Sequence, residues 1–220
     1  MKTKWFKQPL AKTFGELALR VFLYAVLLGG LAYGMLWGAV VYDDAFYDEI
    51  GPVEVLETVF ALSTALVFLV AALRNKEREP CAILVAGFLF CIFIRESDYF
   101  LDVLVARHTW KVLVSLTLVL LTLVLVVTYI VKHFKRVVAS VLDFVSQPSF
   151  GIFLSGLLVL IVFSRLFGYG DFWKELIEGN YYRVIKTIVE EGTEQMGYFL
   201  LLISSCEYLH AARIQHRKNS

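Results

Sequence analysis

The chain has 220 residues, of which 59% are hydrophobic and 19% are charged, and its mean hydropathy of +0.69 is above that of soluble domains. A formal net charge of +1 argues against a nucleic-acid-binding protein. The apolar residues form long uncharged runs, which indicate an all-α, polytopic integral membrane protein with a single membrane domain over residues 1–220.

Three uncharged runs are each long enough to cross about 30 Å of hydrocarbon as a helix. They cover residues 21–42, 112–131 and 144–164. The first run follows a basic segment and is too long for the apolar part of a cleaved signal peptide, so we expect it to be an uncleaved first helix.

Three further runs, within residues 58–73, 81–94 and 195–206, are too short to span unless each takes in charged neighbours. With those neighbours, the sequence predicts a bundle of six membrane helices. Residues 166–184 mix aromatic residues and glycines with charges, which is typical of an interfacial loop with a short amphipathic helix. The predicted spans are about 20–42, 53–73, 81–102, 112–131, 145–165 and 186–209.

Lys and Arg residues predict the orientation of this bundle. Fourteen of them fall on the side that holds both chain ends, against seven on the other side. By the positive-inside rule, both termini are cytoplasmic, and we expect a multi-pass protein of the cell (inner or plasma) membrane. Acidic residues favour the other side, where 15 of the 20 are predicted to lie. Because acidic residues contribute little to topology, this bias needs its own explanation.

Acidic residues at the outer ends of the second, third and sixth helices explain the bias. Spacings of three and four residues place each set on one face of its helix. A charge facing lipid costs a few kcal/mol or more, so we expect these faces to meet in one pocket. Arg95 and Lys186 are the expected charge-balancing bases. The candidate metal ligands are Glu54, Glu57, Glu96, Asp98, Glu190, Glu191 and Glu194.

The residue types in this pocket predict the kind of metal. All-oxygen ligation favours Mg²⁺, Ca²⁺ or Mn²⁺ over Zn²⁺ or iron. The nearest histidine, His108, falls in the outer loop. The one Glu-x-x-His of the sequence, Glu207 to His210, is expected on the cytoplasmic side, whereas carboxylate di-iron bundles carry such a motif on each of two helices. A purely structural network of ion pairs is the alternative interpretation of the same charges.

Three functions are compatible with such a pocket. In the first, a bound cation polarises an oxygen of a lipid or lipid-linked substrate, and one of Glu54, Glu96 or Glu194 acts as the catalytic general base. The second is a cation- or proton-coupled transporter or channel, although the fourth and fifth spans offer no charge for an inward route. The third is a non-catalytic assembly or sensor subunit. The sequence leaves open whether the protein is an enzyme.

Small residues on the first helix predict a packing face. Gly30, Gly34 and Gly38 recur at every fourth position, a pattern that lets helix backbones approach closely. The face predicts contact within the bundle or between protomers of a homo-oligomer. Membrane lipids are the other expected partners.

Overall fold

The computed structural model describes residues 10–42, 51–97, 108–177 and 182–219. Of these residues 94% are helical and none lies in a strand, which confirms the all-α class. Four of the described helices are long and apolar enough to cross a membrane. The chain is therefore compatible with a multi-pass membrane protein.

Seven helices follow one another along the described chain. The first three begin or end close to their predicted bounds. Pro52, Pro80 and Pro148 lie in the first turn of three of the helices, where a missing N–H removes no helical hydrogen bond. Within α5, Val159–Phe163 forms a π-helical turn. The helices are α1 (Leu10–Tyr42), α2 (Pro52–Arg74), α3 (Glu79–Glu96), α4 (His108–Val145), α5 (Pro148–Phe167), α6 (Gly170–Leu176) and α7 (Tyr182–Asn219).

The four candidate spans belong to α1, α2, α4 and α5. The predicted third and sixth spans correspond to α3 and α7, which are not among the four. α3 has 18 residues and is about 27 Å long at 1.5 Å per residue. Charged residues end α3 and begin α7, which lowers the hydropathy of both helices. The count of six spans stays a prediction.

α7 lies at the centre of the bundle. It packs against α2, α5, α1 and α6, while α3 packs against α2 and α4. The core between these helices contains the fully buried side chains of Phe68, Leu89, Leu201 and Tyr208, together with small residues on α2 and α3. Small residues allow the close helix packing that membrane bundles require.

The most apolar helices lie on the outside of the bundle. α1 and α4 leave nearly all of their long apolar side chains exposed, whereas α2 is about half buried along its apolar stretch. This distribution is the one that a lipid environment requires, because apolar side chains face outward and charged helices are covered by their neighbours.

The structure places two glycines where α5 crosses α7. A Cβ atom added to Gly197 would lie 2.6 Å from Cγ of Leu160, and one added to Gly156 would lie 3.0 Å from the carbonyl oxygen of Gly197. Any larger residue at Gly197 would therefore force the Leu160 side chain or the α5 backbone to shift. By contrast, nothing in the described chain lies within 4 Å of a Cβ atom at Gly30 or Gly34.

α4 continues beyond the predicted end of the fourth span at residue 131. His133 has non-helical dihedral angles (φ −124°, ψ 26°) and marks a kink. After the kink, Val137, Ser140 and Phe144 recur on one face and are buried. The Oγ atom of Ser140 accepts a hydrogen bond of 3.2 Å from the backbone N–H of Cys81. The part of α4 after the kink, which carries Lys135 and Arg136, is thus an amphipathic helix packed on the bundle.

A polar network fixes the end of the bundle that holds the α2–α3 turn. The Arg78 guanidinium donates a 3.1 Å hydrogen bond to Gln147 and lies 3.5 Å from Asp143. It also stacks 5.4 Å from the centre of the Tyr208 ring, whose hydroxyl donates to the Arg78 carbonyl. These contacts connect the α2–α3 turn to α4, α5 and α7.

Candidate functional site

The carboxylates of α2, α3 and α7 lie together at the other end of the bundle. Successive helices of a bundle run in opposite directions, so the start of α2 meets the end of α3. The structure confirms a carboxylate cluster, since Glu57 is within electrostatic range of acidic residues on all three helices. Asp98, another predicted ligand, lies outside the described residues. The described acidic cluster comprises Glu54, Glu57, Glu96, Glu190, Glu191 and Glu194.

Three members of the cluster converge most closely. One carboxylate oxygen from each of Glu54, Glu57 and Glu191 lies within 4.8 Å of the others. Oxygens on opposite sides of a bound Ca²⁺ are separated by about 4.6–5.2 Å. These three residues, the glutamate triad, therefore offer a ligand set of suitable size for a hard cation.

Glu57 is the most enclosed member of the triad. Its side chain is 1% exposed, and neither of its carboxylate oxygens has a hydrogen-bond partner within the described chain. A buried carboxylate without donors is costly when charged. A bound cation or a shared proton would remove that cost.

A second buried polar side chain follows one helical turn after the triad on α7. Gln195 is fully buried, and neither its amide oxygen nor its amide nitrogen has a hydrogen-bond partner among the described residues. The i, i+4 spacing puts Gln195 on the same face of α7 as Glu191. Buried polar groups without partners are rare, and an amide oxygen is a suitable ligand for Ca²⁺.

Glu96 and its neighbours form a different arrangement. The Glu96 carboxylate, 6% exposed, accepts a 2.7 Å hydrogen bond from the Tyr198 hydroxyl. A nitrogen of the Arg95 guanidinium lies 3.4 Å from the same oxygen. Glu96 therefore has both a donor, Tyr198, and a counter-charge, Arg95, and is not part of the triad.

Glu194 and Glu190 are also held by bases. The Arg165 guanidinium lies 3.0 Å from Glu194 and 3.9 Å from Glu190. The Ser164 hydroxyl lies 2.9 Å from the same Glu194 oxygen. The ammonium group of Lys186 lies 2.7 Å from Glu190. Of the three predicted general bases, only Glu54 belongs to the triad.

The α5–α6 turn covers part of the cluster. A Cβ atom at Gly168 would collide with the Glu190 carboxylate. The buried Trp173 of α6 donates its indole N–H to the Phe167 carbonyl and holds α6 against the end of α5. On the exposed side of α6, a hydrogen bond from Lys174 lowers the pKa of Asp171.

Sequence reasoning missed four residues of this site: Ser164, Arg165, Gln195 and Tyr198. Arg165 directly follows an apolar run, as Arg95 does, so both are expected at the same level of the bundle. This position indicates that Arg165 lies near the acidic cluster. Gln195 and Tyr198 each lie one turn beyond an acidic residue of α7. The π-helical turn before Ser164 has no comparable sequence signal, although it alters the direction in which the following residues point.

Comparison with models of known protein families, with curated proteins and with solved structures finds no match to this chain. Its function therefore has to be argued from the geometry and chemistry of the acidic cluster.

Proposed function

We propose that this chain is an integral membrane protein that binds a hard divalent cation through the glutamate triad. In the enzymatic form of the proposal, the cation acts as a Lewis acid on a lipid or lipid-linked substrate. The observation that supports cation binding most directly is the Glu57 carboxylate, which is buried, lacks hydrogen-bond donors in the described chain and lies beside two other carboxylates.

The chemistry of the donors favours Mg²⁺, Ca²⁺ or Mn²⁺. The triad consists only of carboxylates, and the nearby Gln195 adds an amide oxygen. Zinc sites in proteins usually include Cys or His. Hard cations prefer oxygen ligands, so the triad suits them better.

The proposal includes six membrane spans, cytoplasmic termini and an outward-facing acidic cluster. Packing supports the two additional spans, because α3 lies beside α2 and α4, and α7 lies beside α2 and α5. Basic residues at the end opposite the cluster support the orientation. They include Arg74, Lys76, Arg78, Lys132, Lys135 and Arg136.

Packing in the middle of the bundle favours a binding site over a transport route. Phe68 and Leu201 fill the centre and are completely buried. The hydroxyls of Thr64 and Ser204, which could extend a polar path, donate to the backbone carbonyls of Phe60 and Ser149 at 2.7 and 2.8 Å. These two hydroxyls are thus already occupied by backbone carbonyls within the bundle.

Cation binding can be tested on the purified full-length chain. After treatment with EDTA, titration with Mg²⁺, Ca²⁺ or Mn²⁺ should show saturable binding to the wild-type protein. Glu54→Gln, Glu57→Gln and Glu191→Gln should each weaken the binding by about tenfold or more, equivalent to about 1.4 kcal/mol. A matched control is Glu79→Gln, because Glu79 lies near Lys76 and Arg136 at the opposite end of the bundle.

Two results would contradict the proposal. The wild-type protein could bind none of the three cations, or the triad variants could bind them as well as wild type does. If the triad variants changed only the stability of the protein, the cluster would be a structural network of charges.

A further inference from the structure

A groove opens between α3 and α5, beside the acidic cluster. It has a volume of about 310 Å³ and is walled mainly by apolar side chains, Phe88 and Ile92 from α3 and Leu157, Leu160 and Ile161 from α5. This volume is at the lower end of the range for small-molecule sites, which is about 300–1,000 Å³. Phe88 is 45% exposed and Ile161 is 61% exposed, so the groove opens toward the outside of the bundle.

The exposed polar surface of the groove is positive, because the acidic partners of its two arginines, Glu96, Glu190 and Glu194, have side chains that are only 7–15% exposed. Arg95 and Arg165 are accompanied there by one acidic residue, Glu194, and by Tyr198. The two arginine side chains are 62% and 51% exposed. Their positions at the ends of α3 and α5 place both at the level of the acidic cluster, so the apolar walls lie deeper between the helices.

Both arginines retain donors for an additional anion. A guanidinium has five N–H donors. The described contacts of Arg95 to acidic side chains involve one nitrogen at 3.4 Å from Glu96, and those of Arg165 involve two, at 3.0 and 3.9 Å. The planar guanidinium matches the oxygens of a phosphate group well.

We propose that this groove binds an anionic glycerophospholipid, with an acyl chain along the apolar walls and the phosphate between Arg95 and Arg165. Free phosphate would leave the apolar walls without a partner, and a zwitterionic lipid would not match the positive charge of the exposed surface. A phosphate in this place would lie close to the triad, because Glu194 is within electrostatic range of both Glu57 and Glu191.

This inference supplies a substrate class for the proposed enzyme, and only that link rests on the proposed function. Mg²⁺ is commonly bound by carboxylates together with the phosphate of a substrate. The groove itself consists of different residues from the triad. Lipid binding and cation binding can therefore succeed or fail separately.

Native mass spectrometry of the full-length protein in detergent provides the test. With EDTA present, the wild-type protein should retain dioleoyl phosphatidylglycerol at least about tenfold better than dioleoyl phosphatidylcholine, which has the same chains. The double variant Arg95→Gln/Arg165→Gln should lose this preference. Leu157→Trp, which fills the apolar part of the groove, should lower the retention of the anionic lipid. Arg136→Gln, at the opposite end of the bundle, should behave like wild type.

Comparisons between lipids, competitors and variants distinguish the possible outcomes. Equal retention of the two lipids by wild type, or full displacement of the anionic lipid by millimolar inorganic phosphate, would overturn the inference. Unchanged preference in the double arginine variant would also overturn it. Preference for the anionic lipid in EDTA, together with a failure of the triad to bind cations, would support the groove while refuting the proposed cation function.

Discussion

Glu57 shows how one buried side chain can connect stability to ligand binding. Its carboxylate has no hydrogen-bond donor in the described chain, and acidic residues surround it on α2, α3 and α7. Folding without a cation therefore leaves either a costly buried charge or a protonated carboxyl group. A cation that binds only the folded protein would stabilise it in proportion to the logarithm of the cation concentration.

We expect Glu57→Gln to remove at least about half of the stabilisation of the protein by divalent cations, because tenfold weaker binding lowers it by about 1.4 kcal/mol. At a cation concentration about 100 times the Kd, wild type should gain about 2.7 kcal/mol in its free energy of unfolding. Because glutamine has nearly the same shape but no charge, the variant should be at least as stable as wild type in EDTA. Thermal unfolding in detergent, with and without cation, measures both effects. A variant that kept the full cation response would contradict this expectation.

Tyr198 makes a separate contribution at the residue scale. Its hydroxyl donates a 2.7 Å hydrogen bond to the buried Glu96 carboxylate. Tyr198→Phe should lower the free energy of unfolding by about 1.5–3 kcal/mol, the usual range for a hydrogen bond to a charged group. Tyr33→Phe is a suitable control, since Tyr33 is 71% exposed on α1. Equal stability of the two variants in denaturant titrations would show that the Tyr198 hydrogen bond contributes little.

Among the helices, α5 and α7 depend on each other most closely. They cross at Gly156 and Gly197, directly below the residues that hold Glu194. The π-helical turn of α5 includes Leu160, which contacts Gly197 at this crossing, and it leads into Ser164 and Arg165. A π-helical turn contains one residue more than an α-helical turn, so it changes the direction of the side chains after it by about 100°. The contacts of Arg165 with the acidic cluster thus depend on the local winding of α5.

A methyl group at the α5–α7 crossing should be destabilising. The Cβ atom of Gly197→Ala would lie 2.6 Å from a Leu160 side-chain atom, so Leu160 or the α5 backbone must shift, at a cost of about 1–3 kcal/mol. The matched control is Gly29→Ala on α1, where nothing lies within 4 Å of the added atom. That change should be neutral or stabilising, because alanine favours helices more than glycine does. Denaturation of both variants in detergent would measure the difference, and equal stabilities would refute the close approach.

Considered as a whole, the molecule has two chemically different ends and an apolar middle. One end contains the acidic cluster, and the other contains the Arg78 network and the basic part of α4. Apolar side chains on α1, α4 and α5 cover much of the surface between them. The proposed orientation in the membrane rests on this difference in charge between the two ends of the bundle.

The proposed orientation predicts which residues can be labelled from outside the cell. In a variant without Cys81, Cys91 and Cys206, a cysteine introduced at Glu175 of α6 should react with a membrane-impermeant maleimide applied to intact cells. A cysteine at Lys76 in the α2–α3 turn should react only after the membrane is opened. Both positions are exposed in the structure. Labelling of the cysteine at position 76 in intact cells would contradict the orientation.

Much of this architecture could be predicted from the distribution of apolar and charged residues. The helical class follows from the long apolar runs, and the carboxylate cluster follows from acidic residues that shorten those runs at one end. The pairing of Glu190 and Glu194 with Arg165, by contrast, depends on how α5 is rotated about its axis. Sequence spacing does not determine that rotation, because the π-helical turn within α5 changes it.

The choice among the carboxylates was beyond sequence reasoning for the same reason. Glu54, Glu96 and Glu194 all occupy equivalent levels along their helices, and by sequence any of them could lie beside Glu57 and Glu191. Tertiary packing decides that Glu96 meets Tyr198 and that Glu54 meets Glu191. Such contacts join residues far apart in the chain, and local patterns contain no information about them.

Every helix that α7 touches precedes it in the chain. In the proposed six-span arrangement, α2 and α5 are inserted into the bilayer before α7 is synthesised, with the faces that α7 will cover still exposed. The weakly apolar start of α7 then enters the membrane by docking onto these helices. The proposed arrangement therefore makes assembly of the acidic end a late step in biogenesis, after insertion of the other described helices.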